Sequence, residues 1–115
     1  MNDSILFNDA QAWEQWLEAN AQDSSGVWLK IAKKSSGKQS LTITQALDGA
    51  LCFGWIDSQR LKLDDNFYLQ RYSPRRKKSN WSQINIDKAT ALIHAGKMRD
   101  AGLREIELAK ADGRW

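Results

Sequence analysis

ALCFGWIDSQRLKLDDNFYLQRYSPRRKKSNWS, residues 50–82, runs an apolar helix end into two strand-like segments and then into five cations set among aromatics. Residues 55–63 and 67–72 flank the turn Asp64-Asp65-Asn66, so together they read as a β-hairpin. Pro74, the only proline, ends the second segment, because it brings no N–H to a ladder and holds Ser73 in extended geometry. Arg71, Arg75, Arg76, Lys77 and Lys78 then fall within eight residues, and no acid occurs between Asp65 and Asp87. The stretch gives both the fold class, a hairpin fed by a helix, and the chemistry, a face that attracts anions.

Working outward, Thr42 followed by Gln45 makes a capping box, and Ile43, Ala46, Leu47, Ala50 and Leu51 continue at helical spacing to Gly54. Residues 27–33 are apolar and then alternating, as in a strand with one buried face, and 34–40 read as a flexible loop. Asn8 is expected to cap a first helix ending near Ala21, with Ala10, Trp13 and Leu17 on one stripe and Trp16 beside it. Asn85 is expected to cap a third helix carrying Ile86, Ala89, Leu92 and Ile93, closed by Gly96 in the left-handed conformation. A last helix runs from about Arg99 to Ala111, with Leu103 and Ile106 on its inner face and Asp112-Gly113 ending it. Four helical and about four strand signals make an α+β protein, a small antiparallel sheet packed against about four helices.

Composition narrows the class. The chain has 115 residues, enough for one domain with a core that needs no disulfide or metal. Mean hydropathy is −0.61 and no apolar run approaches the roughly 20 residues of a membrane span. The N-terminus carries acids where a secretory signal carries bases, which makes the cytoplasm the expected compartment. Cys52 is the only cysteine, so neither an internal disulfide nor a cysteine-based zinc site can form within one chain, and it reads as a small buried apolar residue. Residues 1–65 carry six basic and nine acidic side chains, whereas 66–115 carry eleven and five, so the positive charge is concentrated in the second half.

Each candidate for chemistry has a plain alternative. Arg71 and Arg75, with Ser79, Ser82 and free backbone N–H groups, are suited to holding a phosphate or carboxylate; otherwise they belong to a solvated loop in which one arginine pairs with Asp57. Tyr68, Tyr72 and Trp81 interleave the cations and offer stacking surfaces for a nucleic acid, although tryptophans in a small domain mostly pack its core. Trp28 and Trp55 are the expected core members, and Trp81 is expected at a pocket rim. Asp57 follows an apolar segment, which suits a general base as well as a structural partner of an arginine. His94 is the only histidine, without a nearby serine or cysteine nucleophile in sequence, and the glycines form no P-loop or dinucleotide fingerprint. No cofactor or metal is expected.

At ALCFGWID, LQRYSPRRKKSNWS and AKADGRW the chain resembles the YdeI/OmpD-associated family, also called the bacteriocin-protection family, and the likeness runs from about Trp13 to Trp115. The resemblance implies a small bacterial protein linked by name to envelope stress or antimicrobial-peptide resistance, with no catalytic residues to carry over. Members are often longer, continuing past a GRW-like motif into a helical, basic segment, whereas this chain stops at Trp115. The reading is therefore a single domain over 1–115, short of that segment. It binds an anionic small molecule or protein partner through Asp57, Arg71, Tyr72, Arg75, Ser79, Trp81 and Ser82. A nucleic-acid module using the same loop and an enzyme with an Asp/Arg pocket are the alternatives. Arg75 is expected to serve the ligand rather than the fold.

Overall fold

Alternation along Val27–Ala32 (β1) sets the architecture of the computed structural model, which describes residues 4–115. Val27, Leu29 and Ile31 are buried while Trp28, Lys30 and Ala32 face the other way, as the two-residue period of a strand requires. Trp55–Lys62 (β2) and Phe67–Pro74 (β3) form the hairpin, and β1 pairs antiparallel with the free edge of β3. The sheet order is thus β1-β3-β2, with the last strand in the chain at its centre. Among the described residues three strands form where about four were expected, and beside them Ile5 makes an isolated parallel bridge to Leu29. At the hairpin tip, the Asp64 carboxylate accepts from the N–H groups of Asn66 and Phe67 at 2.8 and 2.9 Å, which fixes the turn.

The hairpin is not regular. Asp57 pairs with Tyr72 but Arg60 with Gln70, so β2 spends one extra residue between them, a β-bulge. Gln70, only 3% exposed, ties the bulge down: its side-chain amide donates to the Gln59 carbonyl at 3.0 Å, and its oxygen accepts from Arg60 Nε at 2.9 Å. A buried amide so fully partnered avoids the cost of an unmet hydrogen bond.

Two apolar cores lie on either side of Ile43–Cys52 (α2). The first joins α2 and Ala10–Asn20 (α1) to one sheet face and gathers Phe7, Trp13, Leu17, Leu29, Ile31, Ala46, Ala50, Trp55 and Tyr72. The second joins α2 to Gln83–His94 (α3) and Asp100–Asp112 (α4) through Leu51, Cys52, Trp81, Ala89, Leu92, Ile106 and Ala109. Helix α2 carries apolar residues on both sides because it is covered on both sides. Its expected capping box forms, with Thr42 and Gln45 each accepting the other's backbone N–H.

Several details differ from the sequence reading. Asp9, not Asn8, caps α1, and Ser82, not Asn85, caps α3; in both cases a neighbouring cap-competent side chain takes the position. Trp28 is only half-buried because its strand position points away from the helices, and Trp13 fills the core with its indole N–H donating to the Ala46 carbonyl at 3.0 Å. Gly102 rather than Leu103 lies on the inner face of α4. A Cβ there would fall 2.5 Å from the Cys52 carbonyl, so only glycine lets α4 meet the end of α2 so closely. Residues 34–36 form a 3₁₀ turn inside the expected loop, and Ser40 anchors its far end by accepting the Ala32 N–H at 2.9 Å.

Candidate functional site

At Pro74 the chain leaves the sheet, and the next two arginines part company. The Arg75 N–H donates to the Gly54 carbonyl at 3.1 Å, and its side chain turns inward until only 9% of the residue is exposed. Arg76 stays in solvent. On its side lies a groove of about 340 Å³ between β2, β3 and the turn that follows, lined by Ile56, Ser58, Gln59, Arg71, Ser73, Pro74, Arg76 and Ser79. Arg71 and Ser73 share this face because they stand two apart on β3. Ser58 and Gln59, consecutive residues that a regular strand would send to opposite faces, both border the groove because the bulge falls there.

The groove wall contains two guanidinium groups and three hydroxyls, and no carboxylate. Arg71 is held in place by donating to the Ser25 carbonyl at 3.4 Å, with its fork over Gly26. Arg76 opens a tight turn closed by the Ser79 N–H donating back to its carbonyl at 3.2 Å. Lys78 within that turn has φ +64°, a left-handed conformation that costs a non-glycine residue about 1–2 kcal/mol. The turn is held from behind: Arg114 Nη1 donates to the Ser79 carbonyl at 2.8 Å, and Trp81 meets Trp115 edge to face with ring centroids 5.1 Å apart. Ser79 Oγ is buried and has no partner among the described residues.

Across Pro74 lies a larger cleft of about 830 Å³, between the end of α1, the Gly54 turn and the start of α4. Arg75 borders it. Its guanidinium carbon sits 3.9 Å from the Trp81 ring centroid, and Nη2 donates to the Asn80 carbonyl at 2.9 Å. Nη1 is buried without a partner among the described residues. Burial pulls the group below the ordinary arginine value, with the Glu105 carboxylate opposing, yet an arginine so placed keeps its charge. Arg99 in the same wall bonds Glu14 and, at 2.6 Å, Glu18, and the Glu18 bond is the first cause that raises its pKa.

The seven residues singled out from the sequence therefore divide. Arg71 and Ser79 line the groove, while Arg75 lines the cleft. Tyr72 is wholly buried in the first core, where burial raises its phenol far above the ordinary value. Trp81 is not at a rim; it is buried beneath Arg75, because the C-terminal Trp115 covers its other side. Ser82 caps α3 by accepting the Asn85 N–H at 3.2 Å, and Asp57 is exposed on the face opposite Arg71. Tyr72 and Trp81 are thus turned away from a nucleic-acid strand, and Arg60 lies over the Tyr68 ring at 4.8 Å. Ser58 and Ser73 were missed, since two serines in strands carry no signal until the bulge and pairing bring them together. Cys52 is buried as expected, and burial pushes its thiol up to about 11, away from the reactive range. No helix among the described residues is long and apolar enough to cross a membrane.

Residues 5–105 match the model of a family described as a domain of unknown function, DUF8412, and the chain belongs to that family. No curated protein and no solved structure matches it.

Proposed function

We propose that this DUF8412-family chain is a binding domain that takes the phosphate or carboxylate group of a small molecule or protein partner in the groove beside Pro74. One observation carries the reading: Arg71, Arg76, Ser58, Ser73 and Ser79 line one groove with no carboxylate among them. Two guanidinium forks supply charge-assisted donors in a planar geometry that matches oxyanions, and the hydroxyls add donors that rotate to suit. The likeness to the YdeI/OmpD-associated family makes a stress-associated or peptide-resistance role part of this proposal, with the cytoplasm as its setting. Binding is favoured over catalysis because Asp57, the expected base, stands on the other sheet face from Arg71. The inward turn of Tyr72 and Trp81 favours a phosphate group over a stacked single strand.

The test is calorimetric titration of the chain with inorganic phosphate, acetate and a short single-stranded DNA at two salt concentrations, repeated with Arg71→Ala/Arg76→Ala. Saturable binding of phosphate or acetate, at least tenfold weaker in the double variant, is the expected result. A DNA response far stronger than phosphate and falling steeply with salt would replace this reading with the nucleic-acid one. Silence, or binding indifferent to the two arginines, would overturn the groove as the site.

A further inference from the structure

The cleft on the other side of Pro74 has a charge pattern of a different kind. Arg75, Arg99 and Arg104 line it together with Glu18, Asp100 and Glu105, and Phe53 and Met98 add apolar surface. The Arg99 and Glu18 charges answer each other. That leaves Arg75, Arg104, Asp100 and Glu105, none of which has an ion-pair partner among the described residues. Two cations and two anions around one cleft disfavour a ligand of net charge: an anion drawn to the arginines meets two carboxylates, and a cation drawn to the carboxylates meets two guanidinium groups. Arg75 sharpens the point, since it is nine-tenths buried and its Nη1 has no acceptor among the described residues.

We infer that this cleft is a second binding site, for a small zwitterion with an apolar body, of the amino-acid class. The carboxylate meets Arg75 and Arg104, the ammonium meets Asp100 and Glu105, and the side chain lies on the apolar surface of Phe53 and Met98. A cleft of about 830 Å³ accommodates such a ligand. This site stands on different residues from the groove, with Pro74 alone lining both.

The experiment is an amide-resolved NMR titration with free phenylalanine, N-acetylphenylalanine, which keeps only the negative charge, and phenylalanine methyl ester, which keeps only the positive. The free amino acid is expected to bind at least tenfold more tightly than either derivative, shifting the amides of Gly54, Ala101 and Arg104. Arg104→Ala, an exposed change that leaves Arg75 and its packing in place, is expected to weaken the free and acetylated forms and spare the ester; Glu105→Gln is expected to do the reverse. Arg71→Ala/Arg76→Ala is expected to leave all three unchanged. Equal binding of the acetylated and free forms, equal binding of the ester and the free form, or no binding by any of them would overturn the inference.

Discussion

Arg75 and Arg76 are neighbours in sequence and opposites in space. Arg75 lies over Trp81 with one nitrogen bonded to the Asn80 carbonyl, a buried cation that helps hold the chain's second core together. Arg76 lies in solvent on a groove with Arg71 and three serines. The contrast extends to the regions around them: the groove gathers uncompensated positive charge, whereas the cleft sets three arginines against three acids. Five cations in eight residues are therefore not one patch. The fold turns one inward onto Trp81 at the wall of the cleft, sends two to a groove and leaves Lys77 and Lys78 at an exposed turn.

The largest expected effect lies on the buried side. Trp81→Ala removes the indole between Arg75 and Trp115, and is expected to cost about 3–5 kcal/mol in chemical denaturation, as large aromatic truncations in cores do. A loss under 1 kcal/mol would mean the basic segment is not built on this stack. Next come the two arginines side by side. Arg75→Ala is expected to destabilise by about 2–3 kcal/mol through its stack and charged hydrogen bond, whereas Arg76→Ala should stay within about 0.5 kcal/mol while weakening phosphate binding. The stack and the hydrogen bond of Arg75 set this prediction against the expectation that Arg75 serves the ligand rather than the fold, and equal stability losses at the two positions would erase the distinction drawn between them. Lys78→Gly is expected to raise stability by about 0.5–1 kcal/mol by relieving the left-handed backbone, seen as a higher thermal midpoint; a fall would show that the lysine side chain compensates its strain.

The smallest effect is a control at the far end of the hairpin. Backbone N–H bonds from Asn66 and Phe67 hold the Asp64 carboxyl below the ordinary carboxylate range. A pKa lowered by folding means the ionised form is favoured in the folded state. Its contribution is present above the unfolded value and is lost as pH falls through that value into the lowered one. An NMR titration of Asp64 should show this at acid pH with no change in either region beside Pro74.

Much of this architecture was legible where local chemistry is self-sufficient. Thr42 and Gln45 cap each other three residues apart, Val27, Leu29 and Ile31 alternate, and Gly96 and Gly113 adopt the positive φ that ends a helix. The site was less legible because its parts meet through distant contacts. Nothing in WIDSQRLK announces a bulge; it becomes necessary only when Gln70 on the partner strand reaches the Gln59 carbonyl. Likewise, the burial of Trp81 depends on Trp115, and the 76–79 turn on Arg114, 35 residues beyond Ser79. The cations were visible as a run, but which of them would be buried was decided by the opposite end of the chain.

The most direct measurement is an amide-resolved NMR map of inorganic phosphate binding to the intact chain and to Arg71→Ala/Arg76→Ala. The groove account expects saturable shifts at Ser58, Ser73, Arg76 and Ser79, lost in the variant while the thermal midpoint stays unchanged. Shifts confined to the cleft around Ala101 and Arg104, or shifts that survive the double substitution, would contradict it.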